Sequence, residues 1–441
     1  MYFPFRHGEG PNLPGERLKQ LIHAMSGKPL RGFHLRFDVE MLHNEGLPLP
    51  PKIEDTLIAA LLMNENEESF ALKWSKTRGR GLAPKYLGED SIKDDRVLAE
   101  KLQARGLGKG DMWKLPASEV ADYACSDLTL PEQLMERIYT PALERWGITQ
   151  LFADYNDYQR LLIEMEIGGL PVDRQVVDRA LHDGEIASAS LMDEIKGVAG
   201  YPLNPNSPKQ VTAACGTPNA QAETLQRSGH PLARLISDFK TYNKRDSAYL
   251  RHFIGYADKT GQLHVQLNLT RDEREMGGTR SGRLSVSRPP LQGMPKPKTD
   301  PIYAPCREAI KAPPGYLIVE ADYSQAEVRI AGHYSQEPEL FAVFNEGIDI
   351  YEEFAAQVQH LVPGFQRQHA KILHLAIQYG AGAWKVAVML GIHESDAYRL
   401  REEWHARFPR ISMMMRRLQK IAERNGCIRL PEGRWAHFDG D

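Results

Sequence analysis

Short apolar runs alternate with helical patterns through residues 1–145, which suggests an α/β unit. Residues 31–39 read as a strand or the end of one. Residues 55–64 carry a helical period, with Asp55 as a possible cap. Residues 79–110 are rich in Gly, Lys and Asp and read as loop-heavy, and residues 119–139 read as helix again. A long amphipathic helix is predicted over residues 150–166, ended by Gly168-Gly169-Leu170-Pro171. The Pro- and Asn-rich stretch 201–208 reads as a loop, with Ser207 a plausible cap for a following helix. Another long helix is predicted over residues 231–256. Residues 262–269 alternate like a strand, and residues 277–298 are Gly-, Pro- and Ser-rich and irregular. Tyr316-Leu-Ile-Val-Glu-Ala321 is a short run of strand-forming residues that ends at Asp322, where a helical pattern begins at once. Most of the remainder reads as helix, including residues 367–379 and 394–425.

Composition narrows the class. The 441 residues are 42% hydrophobic and 26% charged, ordinary for a soluble globular chain, and suffice for two to four domains of roughly 100–200 residues. No apolar run approaches the ~20 residues needed to span a bilayer. A charge and a proline interrupt the opening Met-Tyr-Phe-Pro-Phe-Arg-His, so it is not a signal peptide. Cys125, Cys215, Cys306 and Cys427 lie far apart without metal-ligand spacing, which fits reduced thiols and a cytoplasmic setting. The net charge of −3 announces no polyanion, but from residue 367 onward Lys and Arg exceed Asp and Glu by roughly five. A basic surface on one face holds nucleic acid whatever the sum, and a solvated helical face explains the same excess.

Three constellations carry chemistry. In Asp322-Tyr-Ser-Gln-Ala-Glu327, a carboxylate follows a strand, where it is held rigidly beside an open loop and can bind Mg²⁺ for phosphoryl transfer. Ser324 and Glu327 also fit the capping box S-x-x-E, which needs no substrate. Arg367, Lys371, Leu375 and Tyr379 recur every four residues, drift slowly around one helical face and span ~18 Å. Two cations, an apolar residue and an aromatic match the order of phosphates, sugar and base in a nucleoside triphosphate. An ordinary helix with one basic and one buried end shows the same spacing. The third element, Thr279-Arg280-Ser-Gly282-Arg283-Leu-Ser285 with Gln292 further on, offers a close-approach glycine and groups suited to phosphates or minor-groove acceptors.

Together and in this order, the elements resemble the family A DNA polymerases, the bacterial DNA polymerase I type common in phages. Asp322-Tyr-Ser-Gln-Ala-Glu327-Val-Arg resembles motif A, and Arg367-x₃-Lys371-x₃-Leu375-x₃-Tyr379-Gly380 resembles motif B on the fingers helix. Thr279 to Ser285 is similar to the family's T-x-T-G-R-L-S segment, Asn206-Ser-Pro-Lys209-Gln210 to the N-S-P-K-Q loop of the thumb, and Glu164-Met-Glu166 with Gly169 and Val172-Asp173 to the entry into the thumb. Gly32-Phe-His34-Leu-Arg-Phe-Asp38 and Tyr123-Ala-Cys-Ser-Asp127 resemble the second and third motifs of the 3′–5′ proofreading exonuclease.

The resemblance implies an α+β architecture: a partial RNase H-like α/β exonuclease domain (1–145), then a right-hand polymerase with thumb (146–260), the first part of the palm (261–335) and fingers (336–441). It implies two Mg²⁺ ions, held in part by Asp322 and the carbonyl of Tyr323, with dNTPs and primer–template DNA as partners and no membrane. Arg367 and Lys371 would hold the triphosphate, Glu327 would exclude a ribose 2′-hydroxyl, and Tyr379 would close over the nascent pair. Ser324, Gln325, Tyr351 and Leu375 complete the nucleotide site. Arg283 and Gln292 would touch the minor groove, Lys209 and Arg280 the phosphate backbone, while Asp38, Tyr123 and Asp127 belong to the exonuclease. The setting implied is the cytoplasm of a bacterial or phage-infected cell.

The chain departs from the pattern at several points. His34 replaces the usual Asn, Leu375 the usual Phe or Tyr, Tyr351 the His of Asp-Ile-His, and Gly293 the Asn after Gln292. The family's second acidic turn, H-D-E of motif C, is expected beyond Asp441, and the exonuclease D-x-E before Met1, with residues 1–14 as the strand and loop that follow it. The closing His437-Phe-Asp439-Gly-Asp441 falls at a fingers loop and is set aside as a catalytic pair. Each active site is therefore expected half present, in an excerpt of a longer protein or in one half of a split polymerase completed by a second polypeptide. The chain alone is then expected neither to polymerise nor to proofread at full rate. The rival expectations are a catalytically inactive DNA-binding subunit of polymerase fold, and a free-standing exonuclease, which the lack of D-x-E opposes.

Overall fold

Asp55 organises the start of the chain. In the computed structural model, which describes residues 2–75, 79–221, 224–225, 228–257, 259–269 and 278–438, strand β1 (Leu30–Gly32) pairs in parallel with β2 (Ile53–Asp55). The buried Asp55 carboxylate accepts from His34 N and Leu35 N, both at 2.8 Å, and from Leu57 N at 2.9 Å. It thus fixes the turn into helix α1 (Leu35–Asn44) and caps helix α2 (Thr56–Met63), as its place in the sequence predicts. The predicted strand 31–39 is cut short at Gly32, because these backbone donors turn toward Asp55. Helix α2 is apolar nearly all round and is buried, as a helix without a polar face must be.

The described residues form five two-stranded sheets; the rest is chiefly helical. Two compact units result: Met1–Ile318 with Pro431–Arg434, and Val319–Leu430 with Trp435–Asp441. In the first unit, hairpin β3 (Trp74–Ser75) and β4 (Gly79–Arg80) follows α2. Residues 79–110 are not loop-heavy: they hold the twelve-residue helix α3 (Lys93–Ala104), whose Leu98 and Leu102, four apart, are buried. The polar composition there belongs to its solvent face. Helices α4 (Ala117–Leu134) and α5 (Thr149–Gly168) match their predicted positions. Residues 2–14 carry no strand.

The 26-residue helix α6 (Arg174–Ala199), which the pattern analysis missed, is capped by Asp173, whose side chain accepts from Gln175 N and Val176 N. Helix α7 (Pro208–Cys215) is capped by Ser207 as predicted. Helix α8 (Pro231–Arg245) packs on α6. Where they meet, the buried Arg245 donates to Ala180 O and to Asp246 Oδ1, each at 2.7 Å. Gly184 leaves the space for this pair: a Cβ there would lie 2.2 Å from Arg245 Nη2 and 2.6 Å from Asp246 Oδ2. The predicted strand 262–269 is broken at His264 and Val265, and β5 (Gln266–Asn268) pairs antiparallel with β6 (Ser285–Ser287). Glu166 ties this sheet to α1: its carboxylate accepts from Leu267 N and lies 2.8 Å from Arg36 Nε.

Residues 316–321, which run from the first unit into the second, form no strand, and Leu317 is 90% and Val319 85% exposed. Strand-forming residues become a strand only beside another, and no described strand lies beside this one. The helix after Asp322 begins late, as α9 (Ala326–Ser335), entered through Gln325 in a left-handed conformation. Helices α10 (Pro338–Glu346), α11 (Ile350–Gln357), α12 (Arg367–Gln378), α13 (Ala383–Leu390), α14 (Glu394–Arg407) and α15 (Pro409–Asn425) follow. The predicted helix 394–425 breaks at Phe408, because Pro409 has no N–H to continue it and is well placed to start the next. The buried Glu337 then supplies acceptors for the free amides of Arg410 and Ile411, at 2.8 and 3.2 Å. Trp404, Phe408, Leu373 and Phe354 lie in the core of this helical unit.

Two outcomes test these packing arguments. Gly184→Ala should destabilise the first unit by about 1–3 kcal/mol, since the Arg245–Asp246 pair must shift; an unchanged urea midpoint would show that the contact gives way freely. His374 on α12 is 3% exposed, and burial pushes its pKa down to about 4. Its contribution is complete above pH ~6.5 and is lost as pH falls from there toward about 4, because the unfolded chain binds the proton more readily. Denaturant titrations at pH 7 and pH 4.5 should therefore show about 2–3 kcal/mol more acid sensitivity in the parent than in His374→Phe.

Candidate functional site

Helix α12 is two-faced. Ala370, Leu373, His374, Ala376 and Ile377 are buried. Arg367 and Lys371 are exposed, Leu375 is half-buried and Tyr379, just past the last turn, is 63% exposed. The predicted face of two cations, an apolar residue and an aromatic is therefore an open surface. It is held from behind by Trp404, whose Nε1 donates to His374 Nδ1 at 2.9 Å; Tyr351 and Phe408 pack edge-on against the same imidazole.

At the cationic end, Arg367 is paired. Its Nε and Nη2 lie 2.9 and 2.7 Å from Asp349 Oδ2, and its guanidinium lies 5.6 Å from the Tyr351 ring centre. Asp349 also caps α11 through the amides of Tyr351 and Glu352. Partial burial alone would push the Asp349 carboxyl up, but Arg367 and these two amides together hold it below the usual range. Tyr351 is 3% exposed, so its ring supports the gripping face from beneath instead of forming part of it. Sequence reading missed Asp349, although Asp349-Ile-Tyr351 was the segment compared with the family's Asp-Ile-His.

At the aromatic end, Tyr379 donates its hydroxyl to Glu327 Oε1 at 2.6 Å, and Gln378 Nε2 donates to Glu327 O at 3.3 Å. The capping box expected of Ser324 and Glu327 does not form. Gln325 takes the cap position with its left-handed backbone, Ser324 O accepts from Arg329 Nε at 2.9 Å, and Glu327 faces α12. Asp322 and Tyr323 lie exposed in the segment before α9. An exposed carboxylate followed by a backbone carbonyl suits a hard cation that takes few protein ligands. Among the described residues, however, no group of three or more His, Cys, Asp or Glu could hold a metal.

In the first unit, Lys209 is exposed in the first turn of α7. Arg280 and Arg283 are exposed on the turn before β6, where Gly282 adopts φ +79° and Thr279 Oγ1 donates to Arg283 O at 2.8 Å. Gln292 braces this turn: its Nε2 donates to Leu284 O at 3.0 Å and its Oε1 accepts from Val286 N at 3.2 Å. Asp439 and Asp441 lie outside the described residues, as does Gly277.

Of the expected exonuclease residues, Tyr123 and Asp127 meet at one lysine, and Asp38 lies within electrostatic reach of Asp127. Asp38, in the first turn of α1, has its carboxyl pushed up to about 6 by desolvation and by the Asp55 and Asp127 carboxylates, with His34 opposing. Asp127 lies 2.8 Å from Lys73 Nζ, and the same ammonium sits 4.0 Å from the centre of the Tyr123 ring. A lysine occupies the Asp127 side, and Asp55 is engaged by three amides. Lys73 and Asp55 were not among the residues singled out from the sequence for this site.

Residues 180–440 match the model of "DNA polymerase family A". The chain is 28% identical over 456 residues to DNA polymerase I of Rhizobium leguminosarum, covering 96% of this chain and 41% of that protein. It is 25% identical to DNA polymerase DpoZ of Acinetobacter phage SH-Ab 15497, covering 93% of this chain and 73% of the phage protein. The chain thus spans less than half of the bacterial relative. Among solved structures, the POL domain of Pol1 from M. smegmatis, in complex with DNA primer-template and dNTP, superposes with a TM-score of 0.74 at 23% identity, covering 96% of this chain and 70% of that one. That likeness establishes the fold. No described helix is long and apolar enough to cross a membrane.

The Arg367–Asp349 pair makes a prediction of its own. Asp349→Asn keeps a capping side chain but releases the guanidinium. A triphosphate should then bind about two- to fivefold more tightly, the worth of a partly exposed ion pair. Equal or weaker affinity by calorimetry would show that Asp349 does not compete for Arg367.

Proposed function

The chain belongs to DNA polymerase family A, and from that premise we propose that its helical unit holds the triphosphate of an incoming dNTP during template-directed extension of a DNA primer. The reaction is attack of the primer 3′-hydroxyl on the α-phosphate with release of pyrophosphate. The observation that carries this reading is the open face of α12, where Arg367 and Lys371 lead and Leu375 and Tyr379 follow on one side of a helix whose other side is buried. Arg367 would fork onto phosphate oxygens and Lys371 would act beside it as a point charge. Glu327, held by Tyr379, would stand where a 2′-hydroxyl intrudes. Polymerases of this family are generally metal-dependent. Two Mg²⁺ would neutralise the charge that develops on the transferred phosphoryl group, with Asp322 and the Tyr323 carbonyl as the ligands this chain supplies.

In this reading residues 1–145 derive from an exonuclease fold, 146–260 form the thumb, 261–335 the first part of the palm and 336–441 the fingers. Lys209, Arg280 and Arg283 would meet primer–template DNA, with Gln292 holding the Arg283 turn in shape. A second acidic group opposite Asp322 is required by the chemistry, and more of the same polypeptide or a partner chain would supply it. The second reading, a DNA-binding subunit of polymerase fold without catalysis, is favoured by the lack of a metal-holding cluster among the described residues.

Equilibrium dNTP binding in the presence of primer–template separates the two. Arg367→Ala and Lys371→Ala should each weaken binding by about ten- to a hundredfold, the worth of a charge-assisted hydrogen bond. Retained affinity in both would favour the DNA-binding module. Leu375 packs a smaller, non-aromatic side chain where an incoming sugar would lie, so Leu375→Phe should change the ratio of dideoxy- to deoxynucleotide incorporation in a complete enzyme. Identical ratios would remove Leu375 from the sugar contact.

A further inference from the structure

The cluster of Tyr123, Ser126 and Asp127 in the first unit holds a cation of the chain's own. Lys73 immediately precedes β3 and is only 7% exposed. Its Nζ lies 2.8 Å from Asp127 Oδ1, 2.7 Å from Ser126 Oγ and 3.5 Å from Tyr123 O, so each of the three ammonium protons has an acceptor. The Tyr123 ring stacks beneath the ammonium. A buried ammonium without partners is expensive, so a lysine this closed to water is held by the full set.

The backbone delivers Lys73 to this place. Gly81 N donates to Lys73 O, Leu82 N to Ala71 O and Ala83 N to Leu72 O, at 2.8–3.0 Å. The two segments cross so closely that a Cβ on Gly81 would lie 2.5 Å from both Ala71 O and Lys73 O. The lysine is therefore anchored by its main chain, and glycine is needed opposite it.

We propose that Lys73 is the resident counter-ion of Asp127: its ammonium takes the position beside that carboxylate that a divalent ion would need, so Asp127 binds no divalent ion while the lysine is in place. The surrounding groups agree. Asp55 is engaged by the amides of His34, Leu35 and Leu57 and so is not available to Lys73, whose carboxylate partner is Asp127. A second lysine, Lys109, paired with Asp95, lies 5.3 Å from the same Tyr123 ring. A divalent ion at Asp127 would meet one fixed positive charge at contact distance and a second nearby.

The test is Mn²⁺ binding by electron paramagnetic resonance, on the full chain carrying Asp322→Asn so that the other candidate carboxylate is silent. The parent should show no bound Mn²⁺ that Asp127→Asn removes. Lys73→Gln, which keeps hydrogen-bonding capacity without charge, should gain a site at least about tenfold tighter, lost again on adding Asp127→Asn. A parent Mn²⁺ site abolished by Asp127→Asn would overturn the proposal, and so would Lys73→Gln binding no better than the parent. If Lys73→Gln does not fold, melting of the parent still decides. Mn²⁺ should leave the Tm of the parent and of Asp127→Asn equally unmoved, and a rise in the parent alone would show that the metal displaces the lysine.

Discussion

The hydrogen bond from Trp404 to His374, inside the second unit, is the contact on which the candidate site depends. Helix α12 can offer cations to solvent only if its other face cannot rotate away. A purely apolar back would fit its neighbours in several registers; a buried imidazole accepting one indole N–H fits in one. Tyr351 and Phe408 close on the same ring, and burial keeps it neutral, so the acceptor nitrogen remains available. The helix is thereby fixed in azimuth, and Arg367, Lys371, Leu375 and Tyr379 are fixed with it.

Two ion pairs inside the chain occupy places where the family resemblance implies a ligand, and they differ in kind. Arg367–Asp349 is partly exposed: Arg367 is 45% and Asp349 27% open to water. Screening makes such a pair weak, so a polyanion can exchange for the carboxylate. Lys73–Asp127 has its cation buried and every proton accepted. Removing Asp127 would leave a buried ammonium without its counter-charge, so this pair persists although the carboxylate itself is 39% open to water. The same chemistry thus gives a site that can open in one unit and one that stays shut in the other.

Much of this was legible in the sequence where local rules decide the outcome. Asp55 and Ser207 cap the helices they precede, and the four-residue spacing of Arg367, Lys371, Leu375 and Tyr379 does mark an outward face. Local rules failed where a distant partner decides. Residues 316–321 have strand-forming side chains but no described neighbouring strand. Ser324 and Glu327 match a capping box, yet the Tyr379 hydroxyl, fifty-two positions away in the chain, draws Glu327 to α12. Lys73 and Asp349 went unnoticed because a lone lysine or aspartate carries no period; only the fold shows what each one faces. The break at Phe408 was readable from Pro409, but the helical pattern on both sides hid it.

The central claim is that the open face of α12 holds a nucleotide chosen by a template. Its most direct test is the equilibrium affinity of all four dNTPs for the protein bound to a primer–template, repeated with each templating base. The account predicts that the Watson–Crick partner binds most tightly, by about tenfold or more, and that the preference moves when the templating base is changed. Four equal affinities, indifferent to the template, would contradict it.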